Sequence, residues 1–192
     1  MTSGRLPPPA PGERGFTLLE VLLTVVVGLL VATVVIQGLM SGGRLGERLA
    51  LVLRERLAAR RTLALIRSEM AVAQRWLGPS GVGAECGLGG REPVAALEVN
   101  GRTVTYSLGA APSKIWRGMV LMRCGPAYGL SGDLSGGTAQ NRVLLDGLGS
   151  GGILVDHPNA GVVRLRLKQV LMLRDGTSLP VVSEIEALQP PG

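Results

Sequence analysis

The sequence predicts an α+β fold in which one long amino-terminal α-helix packs on a small antiparallel β-sheet. The chain has 192 residues, enough for one globular domain and an appendage. An uncharged apolar run is followed by an amphipathic stretch with helical spacing, and no proline lies between Phe16 and Leu77. After Pro79 the helical period ends, and glycine-rich turns separate short β-like runs.

The composition argues against an enzyme. One histidine and two cysteines leave almost no ligands for a zinc site and few general bases. The glycine-rich runs lack the lysine-serine or lysine-threonine ending of a phosphate-binding loop. His157 lies in the segment Asp156–Asn159, which is typical of a turn, and no nucleophile elbow accompanies it. The sequence therefore predicts no catalytic residue, no metal site and no cofactor.

The apolar run predicts a membrane-spanning helix. No charged residue lies between Val21 and Gly43, and as a helix this run is about 35 Å long, against about 30 Å for a bilayer core. A buried core helix and a secretory signal peptide are the alternatives, but the apolar region of a signal peptide is only about 7 to 15 residues long. Residues 1–15 contain prolines at positions 7, 8, 9 and 11 and are predicted to be disordered.

The junction between this leader and the apolar run carries a motif. Residues 14–21 read RGFTLLEV. The segment resembles the processing motif of the type IV prepilin family, in which a basic residue and glycine precede phenylalanine, threonine, leucine, a hydrophobic residue and glutamate. The resemblance implies a type IV pilin-like fold, cleavage between Gly15 and Phe16 by a membrane-embedded prepilin peptidase, and N-methylation of Phe16.

The resemblance also implies a role for Glu20 in assembly. Glu20 is the one charged residue between Phe16 and Gly43, and an unpaired carboxylate is costly in a bilayer or a packed helical bundle. The family suggests that its partner is the new amino group of Phe16 on a neighbouring subunit. The alternative is a solvated carboxylate at the interface, where it complements the positive end of the helix dipole.

The resemblance implies a location in the inner (cytoplasmic) membrane and then in a cell-surface pilus. The chain would cross the membrane once, with its amino terminus cytoplasmic and its head extracytoplasmic. The positive-inside rule favours the opposite orientation, because few arginines precede the span and many follow it. They are Arg5 and Arg14 before the span, and Arg44, Arg48, Arg54, Arg56, Arg60 and Arg61 after it. We follow the motif, because Gly15 must face the cytoplasmic peptidase.

The predicted organisation has four parts. They are the cleaved leader (1–15), a transmembrane and filament-core helix (16–43), an amphipathic continuation of the helix (44–78) and a β-rich extracytoplasmic head (79–192). Gly78 and Pro79 are expected to end the helix. Glycines between residues 28 and 46 favour a bend or local melting in its middle.

The amphipathic continuation has a basic polar face. Its charged residues are Arg44, Arg48, Arg54, Arg56, Arg60, Arg61, Arg67 and Arg75, with Glu47, Glu55 and Glu69. Arg56 and Arg60 would repel each other on a helix, which indicates external partners. DNA or lipid head groups are one interpretation, and a solvated face or contacts with neighbouring pilins is the other. The scarcity of aromatic residues disfavours DNA.

The head is predicted to be antiparallel β-structure. The clearest hairpin is Ala96–Leu108, where Asn100 and Gly101 favour a type I′ turn. Further predicted strands are Met119–Arg123, Arg142–Leu145, Gly152–Val155, Val162–Arg174 and Pro180–Ile185. In Val162–Arg174 alternating basic residues predict a basic outer face that protects an edge strand. Residues 129–141 are predicted to form an exposed loop.

Cys86 and Cys124 are the only cysteines. The topology implied by the resemblance places both outside the cytoplasm, where a disulfide is favoured. Such a bridge would close a loop of about 39 residues and stabilise the head by roughly 3 to 4 kcal/mol. Two unpaired buried thiols are the alternative.

Together these features predict a minor pilin-like subunit of a type IV pilus. Its expected partners are other pilin subunits, the prepilin peptidase, the inner membrane and the pilus assembly machinery. Residues 104–106 and 143–147 resemble segments of W-type and J-type minor pilins. The alternatives are a minor pseudopilin of a type II secretion system, a DNA-uptake (competence) pilin and a membrane-anchored extracytoplasmic enzyme.

Overall fold

The computed structural model describes residues 17–173 and 176–191, and for residues 40–45 it describes the backbone alone. The chain divides between Glu47 and Arg48 into two compact units. The predicted leader and cleavage site, including Gly15 and Phe16, lie outside the described residues. The four-part organisation therefore stays a prediction.

The described elements are one helix and seven strands. They are α1 (Leu18–Val72), β1 (Arg75–Trp76), β2 (Glu92–Val99), β3 (Arg102–Ala110), β4 (Met119–Gly125), β5 (Gln140–Asn159), β6 (Val162–Met172) and β7 (Ser178–Leu188). The strands form one sheet in chain order, and every neighbouring pair is antiparallel. The predicted α+β class, with a pilin-like helix followed by an antiparallel head, is confirmed.

The helix ends earlier than the sequence predicts. It was expected to reach Leu77, but α1 stops at Val72. The backbone N–H of Gln74 donates to the Glu98 carbonyl at 2.8 Å, and the N–H of Leu77 donates to the Ala96 carbonyl at 2.9 Å. Residues 74–77 therefore leave the helix because strand β2 binds their backbone groups. In contrast, the helix continues through the glycine-rich stretch 38–46, where local melting was predicted.

The predicted hairpin at Asn100 and Gly101 is confirmed. Asn100 has φ 51° and Gly101 has φ 70°, and Val99 pairs with Arg102 across the turn. Both turn residues occupy the left-handed region that a type I′ turn requires. Asparagine and glycine are the residues that reach this region at least cost.

Strand β5 joins two segments that were predicted as separate strands. The predicted Arg142–Leu145 and Gly152–Val155 both lie within Gln140–Asn159. The glycines between them produce an irregularity in the pairing with β6, between Leu148 and Ile153, rather than a chain reversal. A β-bulge of this kind bends a strand without ending it. His157 also lies in β5, and the reversal comes after it, at residues 160–161.

Strand β6 lies inside the sheet and not at its edge. It pairs with β5 on one side and with β7 on the other, so the prediction that its basic residues protect an edge is wrong. Arg164 instead binds Glu186 at 2.8 Å, and Arg166 binds Glu184 at 2.8 Å. Two of the three basic residues on the outer face of β6 are thus paired with glutamates of the neighbouring strand.

In the second unit, one face of α1 packs on the sheet. Ala59, Leu63, Ile66 and Met70 are buried at helical spacing in the core. Their partners on the sheet are Leu97, Val99, Val104, Tyr106, Leu121, Leu145, Val163, Leu165 and Leu167. Burial of each such aliphatic side chain contributes about 1.5 to 3 kcal/mol. Earlier leucines of the predicted apolar face, at positions 49, 53 and 57, remain about half exposed.

A disulfide-linked segment covers the other face of strands β2 to β4. Cys86 and Cys124 are bonded, which is the alternative that the sequence favoured. The N–H of Gly83 donates to the Thr105 hydroxyl at 3.2 Å. Val120 and Met122, on the same face of the sheet as Cys124, are buried. Residues 83–91 therefore add a second layer, and the sheet is covered on both sides here.

Candidate functional site

The first turn of α1 is held by Thr17. The N–H of Glu20 donates to the Thr17 hydroxyl oxygen at 3.3 Å and to the Thr17 carbonyl at 3.0 Å, so Thr17 is the helix N-cap. Glu20 stands in this first turn, and its side chain is exposed. The carboxylate complements the positive end of the helix dipole and is accessible to a partner outside the chain.

After the first turn, the segment as far as Leu39 presents mainly apolar side chains on every side. Residues Leu18–Leu39 have a mean hydropathy of 2.7, and none of this segment is buried within the chain. By length and composition the segment can cross a membrane. Thr24 and Thr33 donate their hydroxyls to carbonyls one turn earlier, those of Val21 and Leu29. Because both hydroxyls are satisfied inside the helix, they add little cost in an apolar environment.

These features can now be compared with known proteins. Residues 11–36 match the family described as the prokaryotic N-terminal methylation motif. The match supports a type IV prepilin-family protein, pilin-like and processed by prepilin peptidase. That family is structural and non-enzymatic, and the apolar helix fits a membrane-anchored pilin. No curated protein and no solved structure matches the chain.

The second unit buries a carboxylate that the sequence analysis placed on the polar face of the helix. Glu69 is fully buried and receives hydrogen bonds from three side chains, which together we call the Glu69 cluster. Arg123 donates from Nε at 2.8 Å and Tyr128 from its hydroxyl at 2.5 Å, both to Oε1. Tyr106 donates to Oε2. The prediction for Glu69 is therefore wrong, because the sheet supplies donors that replace water.

The arginine of this cluster is also almost fully buried. Arg123 donates from Nη1 to the Pro126 carbonyl at 3.0 Å, and its guanidinium lies 5.3 Å from the centre of the Tyr128 ring. Its Nη2 lies 2.8 Å from Glu69 Oε1 but without the angle of a hydrogen bond. The charge of Arg123 is thus compensated by one carboxylate, one carbonyl and one aromatic face.

Burial sets the protonation of the two tyrosines. Desolvation, and then the negative charge of Glu69, raise the pKa of Tyr106 well above its ordinary value. Desolvation and the hydrogen bond to Glu69 raise the pKa of Tyr128 as well. Both phenols therefore remain neutral hydrogen-bond donors at physiological pH.

A second buried carboxylate links the helix to the sheet four turns earlier. Glu55 accepts hydrogen bonds from Arg117 Nη2 at 2.6 Å and from Gln169 Nε2 at 3.0 Å. The backbone N–H of Arg117 also donates to Asp146 at 3.0 Å. The hydrogen bond to Glu55, and then that to Asp146, raise the pKa of Arg117. These four residues form the Glu55 cluster.

One signal in the sequence could have revealed both carboxylates. Glu55, Thr62 and Glu69 recur every seven residues, which places them on one stripe of the helix. All three are buried, and the Thr62 hydroxyl donates to the Leu144 carbonyl at 3.2 Å. The stripe runs beside the apolar residues of the core. A polar stripe that follows the period of an apolar face thus indicates buried polar contacts rather than a solvated surface.

The arrangement of these groups is structural rather than reactive. Among the described residues, no group of three or more histidines, cysteines, aspartates or glutamates could hold a metal ion. The carboxylates of both clusters are occupied by donors from the sheet. Both clusters therefore attach the helix to the head.

Removal of the buried arginine is expected to be far more damaging than removal of an exposed one. Arg123→Met leaves Glu69 buried without its cation, which should lower the free energy of unfolding by about 3 to 5 kcal/mol. Arg166→Met makes the same chemical change at an exposed ion pair on the same sheet, where about 0 to 1 kcal/mol is expected. Urea unfolding measures both. Equal losses in the two variants would contradict the assigned role of the Glu69 cluster.

Stability is also expected to fall at alkaline pH because the pKa values of both tyrosines are raised in the folded chain. Above about pH 10 the unfolded chain loses its tyrosine protons, whereas the folded chain keeps them. The unfolded state then binds fewer protons, so the free energy of unfolding declines as pH rises. Below about pH 10 the protonated tyrosines make their full contribution to the free energy of unfolding.

The size of this effect is set mainly by Tyr106. Tyr106 should lower the free energy of unfolding by about 1.4 kcal/mol for each pH unit above pH 10. Tyr106→Phe should abolish this part of the pH dependence. Tyr106 and Tyr128 are the only tyrosines, so tyrosinate absorbance of the folded protein reports on them alone. Tyrosinate absorbance that appears near pH 10 without unfolding would show that neither is protected.

Proposed function

We propose that the chain is a minor pilin-like structural subunit of a type IV pilus. The observation that carries the proposal is the prepilin-type methylation motif at residues 11–36, which overlaps a helical segment, Leu18–Leu39, that is apolar and not buried within the described chain. In this proposal the prepilin peptidase cleaves between Gly15 and Phe16, and Phe16 becomes N-methylated. Residues 16–43 then leave the inner membrane for the helical core of a filament.

Glu20 supplies the polar contact that fixes the register of this helix. Its carboxylate is exposed in the first turn, between an N-cap and a run of apolar side chains. In an apolar filament core a lone carboxylate requires a cation. The amino group of Phe16 on a neighbouring subunit, generated by cleavage, meets that requirement. The head stays outside the cytoplasm, and the assembly machinery and other pilins are its partners.

The Cys86–Cys124 disulfide supports an extracytoplasmic head, because such bonds persist in oxidising compartments. A minor pseudopilin of a type II secretion system shares the same motif and the same helix. The choice between these systems depends on which filament incorporates the chain, since processing is common to both.

Processing is tested by the intact mass of the protein from membranes of cells with and without the prepilin peptidase. With the peptidase, the mass should correspond to a chain that begins at methylated Phe16. Without it, the mass should correspond to the full chain. An unprocessed chain in both strains would overturn the proposal and favour a simple membrane anchor.

Assembly is tested by Glu20→Gln, which removes the charge and keeps the shape. We expect normal membrane insertion and normal processing but less chain in sheared pilus fractions, by about tenfold or more, because an apolar core amplifies the loss of an ion pair. Glu92→Gln, the same change in the head, is the matched control. Normal incorporation of the Glu20→Gln chain would contradict the assigned role of Glu20.

A further inference from the structure

The second unit has an open sheet edge bordered by arginines. In the described part of the chain β7 is the last strand of the sheet, and no strand pairs with its outer edge. Two cavities of about 590 and 480 Å³ follow the seam between this strand and the helix, and Arg67 lines both. Arg56 and Arg60 line the second cavity together with Val182–Ile185. We call this seam the β7 groove.

The arginines of the groove carry charge that the chain itself does not neutralise. Arg164 and Arg166 on the neighbouring strand β6 are paired with glutamates of β7. Arg56, Arg60 and Arg67 are exposed, and none of them forms an ion pair within residues 17–173 and 176–191. Three exposed arginines without an ion pair in the described residues therefore line the groove beside the open edge.

The acidic residues of β7 do not reduce this charge. Glu184 and Glu186 border the groove, but each is held by an arginine of β6 at 2.8 Å. Residues of a strand alternate between the two faces of a sheet. The glutamates point to the outer face with β6, whereas buried Val181 and Ala187 point towards the helix.

We propose that the β7 groove binds an extended acidic segment of a partner protein, which pairs with β7 as an eighth strand. An open edge offers a row of free backbone donors and acceptors, which is the usual basis of strand addition. Successive side chains of the added strand then point to opposite faces of the sheet and meet two different surfaces. Towards the helix it meets the arginines. On the outer face it continues a row that begins and ends with exposed Val182 and Leu188 and contains between them the two glutamates already paired with β6.

The spacing of the arginines suits such a strand. Arg56 and Arg60 are about 6 Å apart along a helix, and alternate residues of a strand are about 6.6 Å apart. The partner is therefore expected to alternate acidic and apolar residues, with its acidic side towards the helix. The inference concerns the second unit alone and holds whether or not the first unit enters a filament.

The test is binding of labelled peptides to the full chain in detergent micelles. The probe is a peptide of alternating glutamate and valine, about eight residues long to match the open edge. A peptide of alternating lysine and valine is the control. We expect saturable binding of the acidic peptide alone, together with slower amide hydrogen exchange at residues 181–188. No saturable binding up to about 1 mM would overturn the inference.

Two matched charge reversals locate the site. Arg56→Glu combined with Arg60→Glu should weaken peptide binding by about tenfold or more. Arg54→Glu combined with Arg61→Glu makes the same change on the same helix, at arginines that do not line the groove, and should have little effect. Equal weakening by both pairs would show nonspecific attraction and contradict the inference.

Other anionic ligands are outcomes of the same experiment. Duplex DNA and phosphatidylglycerol vesicles are tested as competitors of the peptide. One of these competitors could displace the peptide in a way that depends on Arg56 and Arg60, yet leave amide hydrogen exchange in β7 unchanged. In that case the groove binds that competitor, and the proposed strand addition is wrong. Peptide binding without protection of β7 would overturn strand addition in the same way.

Discussion

The burial of Glu69 is the interaction on which the second unit depends. A carboxylate removed from water is costly unless donors replace the lost hydration. Arg123, Tyr106 and Tyr128 come from strand β4, strand β3 and the segment that follows β4, and all three donate to Glu69. One side chain of the helix thus fixes the position of three parts of the head. An apolar core alone tolerates sliding more easily than a set of directed hydrogen bonds does.

In the Glu55 cluster, four turns earlier in the helix, a second buried carboxylate is also bound by donors from the head. Glu55 binds Arg117 and Gln169, so the same stripe of α1 is fixed to the sheet at two points about 21 Å apart along the helix. Between them lie the apolar contacts of Ala59, Leu63 and Ile66. Burial supplies most of the stabilisation, and the two carboxylates supply the register between helix and sheet.

The first unit follows a different constraint. All the large side chains between Leu18 and Leu39 are exposed, and none of this segment is buried within the described part of the chain. Water is a poor solvent for such a surface, so lipid or other helices must cover it. The prepilin-type motif at its start connects this requirement to processing and assembly.

The sequence by itself determined the features that depend on local chemistry. The long helix, the turn at Asn100 and Gly101 and the prepilin-type motif at Glu20 each follow from neighbouring residues. The sequence also favoured the bond between Cys86 and Cys124 over free thiols, because the topology implied by the prepilin resemblance places both cysteines in an oxidising compartment, and the chain offers no other pairing. In each case the deciding residues are adjacent in the chain or are the only candidates.

Only the tertiary structure decided the features that depend on distant partners. Glu55 and Glu69 looked solvated because the donors that bury them come from β3, β4, β6 and the segments around β4, between 37 and 114 residues away. The helix ended early because the backbone N–H groups of Gln74 and Leu77 donate to carbonyls of β2. Strand β6 proved internal, because the place of a strand in a sheet depends on which strands pair beside it and not on its own alternation.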